Sequence, residues 1–582
     1  MRKKTVWIPL LAAGITLLTP IVHAAPNAGA GLRQLQDETQ QRLRQSPTTE
    51  TSSEVQTLSP SQAAAAFSDS QIMVEGFSIA GVSLFSEAEL REVLSPFSGQ
   101  VLNTEQIHQA ADALMRHYRD AGYFAATVFI PPQTIQGGVI SLDVFEGHLE
   151  TGGLEVDNQG ERIDSTLVQG MLEAELKSDK PLHRADMERV LLLIEDLPGV
   201  RSNATLYPGT AVGTARLRSN ISDEPLFSGN IDADNYGSEH SGRERVGTTL
   251  YLNSPSRSGD QLVTRLVSSG SDSNYAYLNY LRPISATGTR LGASLDYYDY
   301  QTDNIDNLGD ADGYASDLSL YLTHPLIRAR HSNLNVRGTF NHARIVDNND
   351  LDFNAIRELD SLTLGLEGDE DHDWLANGLS LYGLSLTAGT ADLRGNENAR
   401  SYNRNGPDAD GDFQRINFYL QRLQHLSGQW SLYGNLNGQL AAGNLDTSQK
   451  YYFGGPTSMA GYPPGEVGGD SAVAMHLELR YDFAQPILDG SLQAELFYQK
   501  GWLKQHQDTW TGWQAGNPDL DNEVTMHATG IGLTQTWQNQ WLVRGLIGWQ
   551  TADSPVVDPI TGENTDGIDD DYRVWMQVVH YF

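Results

Sequence analysis

No cysteine occurs in the 582 residues. That absence excludes a disulfide framework, a thiolate metal site and a cysteine nucleophile together. Positive charge is scarce as well: 39 Lys+Arg stand against 74 Asp+Glu, a formal net charge of −35. Nucleic-acid affinity rests on Lys and Arg neutralising phosphates, so nucleic acid is excluded as a partner. Hydrophobic residues make up only 39%. Beyond the first two dozen positions no window approaches the roughly 18 apolar residues of a membrane helix. Hydropathy alone describes a soluble acidic protein long enough for several domains.

The N-terminus carries an address. Arg2, Lys3 and Lys4 precede an apolar stretch from Val6 to Val22, and Val22-His23-Ala24 has the form of a cleavage site. Residues 1–24 are predicted to be a secretory signal peptide, so the mature protein is exported. Within 25–45, the stretch Gly31–Gln45 can form a helix whose apolar contacts are only Leu32, Leu35 and Leu43. Such a helix cannot anchor a core and needs a polar setting. Residues 46–70, rich in Ser, Thr, Gln, Pro and Ala, read as a linker.

Two units of about 75 residues follow, at 71–147 and 148–222, with a loosely repeated β-α-α-β-β order. In the first, Ile72–Val74 begins a strand and Ser86 caps a helix with Glu89 at the capping-box spacing. A helix is expected from Glu105 to Ala121, with Ile107, Ala110, Leu114 and Tyr118 on one face, then strands at 124–130 and 139–146. In the second, helices near Ser165–Ala174 and Arg184–Glu195 precede strands near Ala204–Tyr207 and Gly213–Asn220.

From 223 to 582 strands dominate and alternate strictly. Met475, Leu477, Leu479 and Tyr481 oppose His476, Glu478, Arg480 and Asp482; Leu492, Ala494, Leu496 and Tyr498 oppose Gln493, Glu495, Phe497 and Gln499. This fits either a soluble sandwich or propeller, or a membrane barrel with a wet lumen. Mid-strand charges such as Glu478, Arg480 and Glu495 favour the barrel. So do aromatics expected as interfacial girdles at Tyr297-Tyr298, Tyr451-Tyr452-Phe453 and Trp502. The 357 residues from Leu226 to Phe582 give about 22 per strand plus connection for 16 strands, room for membrane strands of roughly 9–11 residues; 14 or 18 would also divide acceptably. The last strand places Tyr572, Val574, Met576, Val578, His580 and Phe582 on one face, as a barrel-closing strand would.

Other motifs carry less. Asp408–Asp412 resembles the start of a calcium loop, but Phe413 replaces the turn glycine and Tyr419 the final Glu. The acidic blocks 347–373 and 553–571 are expected to be solvated outer loops. His476, Glu478, Arg480 and Glu495 are expected to form a structural lumenal network. No catalytic residue, metal site or cofactor is assigned, and no phosphate-binding Gly-x-x-x-x-Gly-Lys loop is present.

A set of short motifs appears in a specific order: Tyr118-Arg119-Asp120-Ala121-Gly122-Tyr123, Ile130-Pro131-Pro132-Gln133, Val144-Phe145-Glu146-Gly147, Leu197-Pro198-Gly199-Val200, and Asp234-Asn235-Tyr236-Gly237 with Ser241-Gly242. In this order they resemble the TpsB-like (hemolysin secretion/activation) outer-membrane transporters of two-partner secretion. The resemblance implies an N-terminal plug helix, two periplasmic α+β POTRA domains and a 16-stranded transmembrane antiparallel β-barrel in a Gram-negative outer membrane. It implies a large secreted β-helical exoprotein as partner, threaded through the lumen without ATP. Outer-membrane lipid, periplasmic chaperones and the barrel-assembly machinery are further expected partners. A barrel-assembly insertase is the alternative; a passive porin or adhesin would not need the POTRA pair.

The family's inward-folded loop has a Val-Arg-Gly-Tyr/Phe tip, matched here by Met459-Ala460-Gly461-Tyr462, with Asp470 following. The Arg is Ala460. Its family partner is an Asp in a Phe-x-Asp-x-Gly wall motif, matched by Phe497, Gln499 and Gly501, with Gln499 in place of the Asp. Both halves of that ion pair are absent together, which avoids leaving one charge unpaired in a confined lumen. At the C-terminus Phe582 completes the resemblance, while His580 stands where an apolar residue or Tyr is usual.

Overall fold

The computed structural model describes residues 27–45, 56–57, 71–302, 310–350, 352–372, 378–514, 520–538, 540–556, 564–568 and 570–582. The predicted signal peptide lies outside them, as does the linker except for Gln56–Thr57. No described helix is long and apolar enough to cross a membrane.

In the first unit the helices Glu87–Leu94 and Thr104–Asp120 cover a sheet ordered Gly76–Ala80, Val139–Phe145, Thr127–Phe129. Leu90, Leu94, Ile107, Leu114 and Tyr118 close on Ile140, Leu142 and Val144. Gln71–Val74 pairs separately with Gln100–Asn103. The strand expected at 124–130 is shorter, because the chain turns first. Gly122, at φ +95°, ends the helix; the Tyr123 N–H then donates to Tyr118 O, and the Ala126 N–H to Tyr123 O.

Two of the sequence motifs meet inside this unit. The Glu146 carboxylate, nearly fully buried, accepts the backbone N–H groups of Ser83 (2.7 Å) and Leu84 (2.9 Å), the Ser83 hydroxyl and the Tyr118 hydroxyl (3.2 Å). Burial pushes this carboxyl up, but the Ser83, Leu84 and Tyr118 hydrogen bonds outweigh it and hold it below the usual range. A lowered carboxyl stabilises the fold above its unfolded value of about 4.3, and that stability is lost as pH falls through the lower folded value. Amide exchange at Ser83 and Leu84 should therefore lose protection in that acid window, and Glu146→Gln should flatten the loss. Glu146→Ala, which leaves four donor groups without their acceptor, should cost about 2–4 kcal/mol locally. Equal acid loss in parent and Glu146→Gln would remove Glu146 as the source.

The second unit runs His148–Asn158, Ser165–Glu175, Arg184–Glu195, Val200–Pro208 and Thr214–Asp223. Its helices bury Val168, Leu172, Val190, Leu191 and Ile194 against Ala204, Leu206 and Leu217. Gln56–Thr57 pairs in parallel with the outer edge of Val200–Pro208, opposite Thr205 and Leu206. This unit sits on the barrel mouth. Asp196, just before Leu197-Pro198-Gly199-Val200, accepts from Arg328 at 2.7 and 2.8 Å, and Arg189 donates to Pro325 O at 2.9 Å.

Among the described residues 16 strands close a barrel, each antiparallel to its chain neighbours, with Phe227–Asp234 pairing the last strand, Tyr572–Tyr581. The alternation sets its two faces: Leu362, Leu364 and Leu366 are exposed on the outside, while Ser361, Thr363 and Gly365 line the lumen. Those six residues correct one expectation. Block 347–373 is not an outer loop: most of it is the strand Phe353–His372, and its Glu367–Asp371 end lies beside His331 at the mouth that carries Asp196. The aromatic expectation also changes. Tyr297 faces outward, but Tyr298 is buried under the N-terminal helix, and Tyr451–Phe453 belongs to a hairpin inside the barrel. Their apolar surface is covered by protein, not lipid.

Strand length is uneven. Phe227–Asp234 and Gln261–Ser268 have 8 residues, whereas Phe353–His372 has 20. At about 3.4 Å per residue the short strands span about 27 Å at most, less than a hydrocarbon core of about 30 Å. The wall is therefore lowest next to its closing seam. There Phe582 and Gly229 exchange backbone hydrogen bonds, both 3.0 Å, and His580 stacks on Trp541 at 4.3 Å.

Candidate functional site: a plugged lumen

The helix Ala28–Gln45 lies inside the barrel, which resolves why it is so polar. Its few apolar residues, Ala28, Leu32, Leu35 and Leu43, meet lumenal Val263, Val267, Tyr275, Tyr277, Tyr298 and Tyr300. The rest of its surface makes charged and polar contacts. Arg42 donates to Asp232 (3.1 Å) and Asp234 (2.7 Å) on the first barrel strand. The Gln577 amide on the last strand also faces Arg42, and with its oxygen turned toward the guanidinium, the orientation its neighbours require, it accepts from Arg42 at 2.6 and 2.8 Å. One turn earlier Glu38 accepts from Arg42 and from Arg245. Arg245 and Arg265 return to Asp234 and Asp232, at 2.9 Å each. The helix thus reaches both sides of the closing seam.

Its N-terminus is fixed elsewhere. The Ala28 N–H donates to Asp347 at 2.8 Å, and Arg357 bridges Asp347 and Asp446. Gln36 donates to Asp317 at 3.1 Å. Beside the helix a cavity of about 1220 Å³ remains, lined by Tyr277, Arg337, Tyr419, Tyr433, His476 and Glu478 among others.

The second lumenal element is the segment around the hairpin Tyr451–Phe453/Val467–Gly469. The tip residues Met459, Ala460 and Tyr462 are fully buried against the wall, with Gln499 beneath them. Ala460 packs with Tyr236, Phe497, Leu546 and Trp575. Its N–H donates to Gln499 Oε1 (2.7 Å), and its carbonyl accepts from Trp575 Nε1 (2.8 Å). Tyr462 OH donates to the carbonyls of Ala552 (2.7 Å) and His527 (3.1 Å). Phe453 and Met459 occupy the space that a side chain at Gly501 would take.

Of the sequence-predicted residues, Met459 to Tyr462 thus meet Phe497, Gln499 and Gly501. His476, Glu478, Arg480 and Glu495 form a continuous network: Arg480 donates to Glu478 (2.6 Å), His476 Nε2 lies 3.2 Å from Glu478, and Arg544 joins Glu495 (2.7 Å) to Glu478 (3.7 Å). Asp470 is not at the tip. It sits fully buried at the hairpin base, accepting from Lys450 (3.0 Å), Leu445 N (3.1 Å) and Gln507 N (2.8 Å).

Sequence patterns do not point to the charged lock on the helix. Glu38 and Arg42 at i,i+4, and Asp232 and Asp234 at i,i+2 on a strand, are the signals that could have found it. Trp575 and Arg544 are missed too, because each sits on the inward face of a strand whose apolar outward residues carry the stronger pattern.

Comparisons with known proteins agree with this geometry. The family described as haemolysin secretion/activation protein ShlB/FhaC/HecB matches residues 213–517. The POTRA domain, ShlB-type, matches residues 72–147. The chain is 26% identical over 457 residues to the heme/hemopexin transporter protein HuxB of Haemophilus influenzae strain 86-028NP, covering 77% of each chain. It is 22% identical over 487 residues to the outer membrane transporter CdiB of Dickeya dadantii, covering 80% of each. In fold it is similar to the structure of CdiB from Escherichia coli, with a TM-score of 0.72 at 19% identity, over 96% of this chain and 100% of that one.

Proposed function

The chain belongs to the haemolysin secretion/activation protein family, and from that premise we propose how it moves its client. It is an outer-membrane transporter of two-partner secretion, with its POTRA region in the periplasm. The relatives named above are transporters, which sets the insertase alternative aside. The client we assign is a large secreted exoprotein of β-helical repeats, delivered unfolded by periplasmic chaperones. An extended client segment adds to an open sheet edge of the periplasmic units, so that backbone hydrogen bonds supply affinity independent of sequence. It then passes through the lumen as an extended chain, because a barrel of this size admits a strand but not a folded domain.

Transport of this kind needs no covalent step, and folding of the client outside supplies the direction. The observation that carries the reading is the lumen itself: a channel lined by polar and charged side chains inside a continuous strand ladder, closed by a helix and a loop that are held by non-covalent contacts. Neither closure belongs to the wall, so both can move while the ladder stays intact. Outer-membrane lipid meets the outward Leu residues, and the assembly machinery inserts the barrel.

Deleting the gene should abolish the surface appearance of the exoprotein encoded beside it, and the plasmid-borne gene should restore it. Unchanged secretion would sink the proposal.

A further inference from the structure

The inward loop is held by a neutral relay where the family pattern has an ion pair, and the hydrogen-bond directions in that relay are forced. Its first donor is the Ala460 backbone N–H, which cannot reverse, so the Gln499 amide must present its oxygen there (2.7 Å). The Gln499 Nε2 then faces His476 Nδ1 at 2.8 Å, and an amide nitrogen only donates. His476 Nδ1 must therefore be bare, with the ring proton on Nε2, 3.2 Å from the acceptor Glu478 Oε1.

The surroundings fix the imidazole in that pose. Phe497 stacks on it at 5.8 Å and Tyr433 meets it edge-on at 6.0 Å. The titratable and charged groups facing it are Tyr433 from the strand Trp430–Ala441, and Glu478 and Arg480 from its own strand. Glu495 from Ser491–Lys504 and Arg544 from Trp541–Gln550 complete the set.

We propose that His476 is a positioning residue for the inward loop: its bare Nδ1 holds the Gln499 amide in the one orientation that grips Ala460, so protonation of the ring releases the tip. A second ring proton would set an N–H against the Gln499 NH₂. The amide could satisfy that proton only by turning its oxygen to His476, and it would then present NH₂ to the Ala460 N–H. One buried donor loses its acceptor in either orientation. The transport reading says only what such a release serves; the latch itself is a property of the loop.

Because the chain has no cysteine, a single label can report on the tip. Thr457, exposed to the lumen, is replaced by T457C and spin-labelled in the full chain, reconstituted in phospholipid vesicles. The label should be immobile at pH 8 and gain a mobile population at pH 5. H476Q should stay immobile at both, since its amide can accept from Gln499 and donate to Glu478 without titrating. Q499L, which removes the grip, should be mobile at both. No pH response in the parent, or a parent-like response in H476Q, overturns the latch; if H476Q does not fold, a pH-dependent label in Q499L overturns it equally. Exoprotein secretion assayed alongside separates the two ideas: a label that behaves as expected without secretion leaves the latch standing and removes the transport reading.

Discussion

Deleting the helix Ala28–Gln45 will raise single-channel conductance several-fold in planar bilayers while leaving a folded, heat-modifiable barrel. The helix is about 10–12 Å across with its side chains and occupies a lumen that 16 strands enclose. The wall does not depend on it, because every barrel strand pairs with both neighbours. The charges it leaves behind are also provided for. Asp232 and Asp234 keep Arg265 and Arg245 at 2.9 Å, so no carboxylate is stranded, and stranding is the costly event in a confined site. The helix carries three arginines against Asp37 and Glu38, so its loss also makes the lumen more acidic and shifts selectivity toward cations. Arg42→Glu should reproduce much of the effect by setting a carboxylate against Glu38, Asp232 and Asp234. Unchanged conductance in a deletion mutant shown to be folded would mean that the helix does not close the channel.

How much of the molecule is legible in its sequence follows the strength of each local signal. The strand Ser491–Lys504 alternates so regularly that its pattern alone sends Leu496 and Tyr498 outward and Glu495, Phe497 and Gln499 inward, as the barrel has them. The acidic block misleads for an instructive reason. Its carboxylates form a run that suggests a loop, but Leu362, Leu364 and Leu366 recur at period two within it, and period, not net charge, decides strand or loop. The aromatic clusters mislead because a tyrosine facing a plug helix and one facing lipid look alike in a linear chain. Tyr297 and Tyr298 are adjacent and have opposite fates. The helix is legible as an oddity, too polar for a core, but its charged wall partners lie 190 residues or more away in sequence, beyond any local pattern. The absence of the tip arginine is plain at Ala460. What replaces it is not, since a backbone N–H leaves no mark in a sequence.

Gly461→Ala should dislodge the inward loop, and the reason is backbone proximity. A Cβ at Gly461 would stand 2.7 Å from both Gln550 N and Trp549 C, and 2.9 Å from Trp549 O. Those atoms belong to the strand Trp541–Gln550, whose ladder to Glu523–Trp537 holds them, so the tip must retreat instead. Retreat breaks the Ala460 bonds to Gln499 and Trp575 and uncovers Met459 and Tyr462, a loss of about 2–4 kcal/mol on the usual scale for two buried hydrogen bonds and partial exposure of apolar side chains. A control is available in the same strand. A Cβ at Gly545 meets nothing within 4 Å, so Gly545→Ala should leave the loop docked. Protease cleavage within 456–462, spin-label mobility at Thr457 and exoprotein secretion should all change in Gly461→Ala and remain at parent levels in Gly545→Ala. If the two variants behave alike, close approach at Gly461 is not what seats the loop.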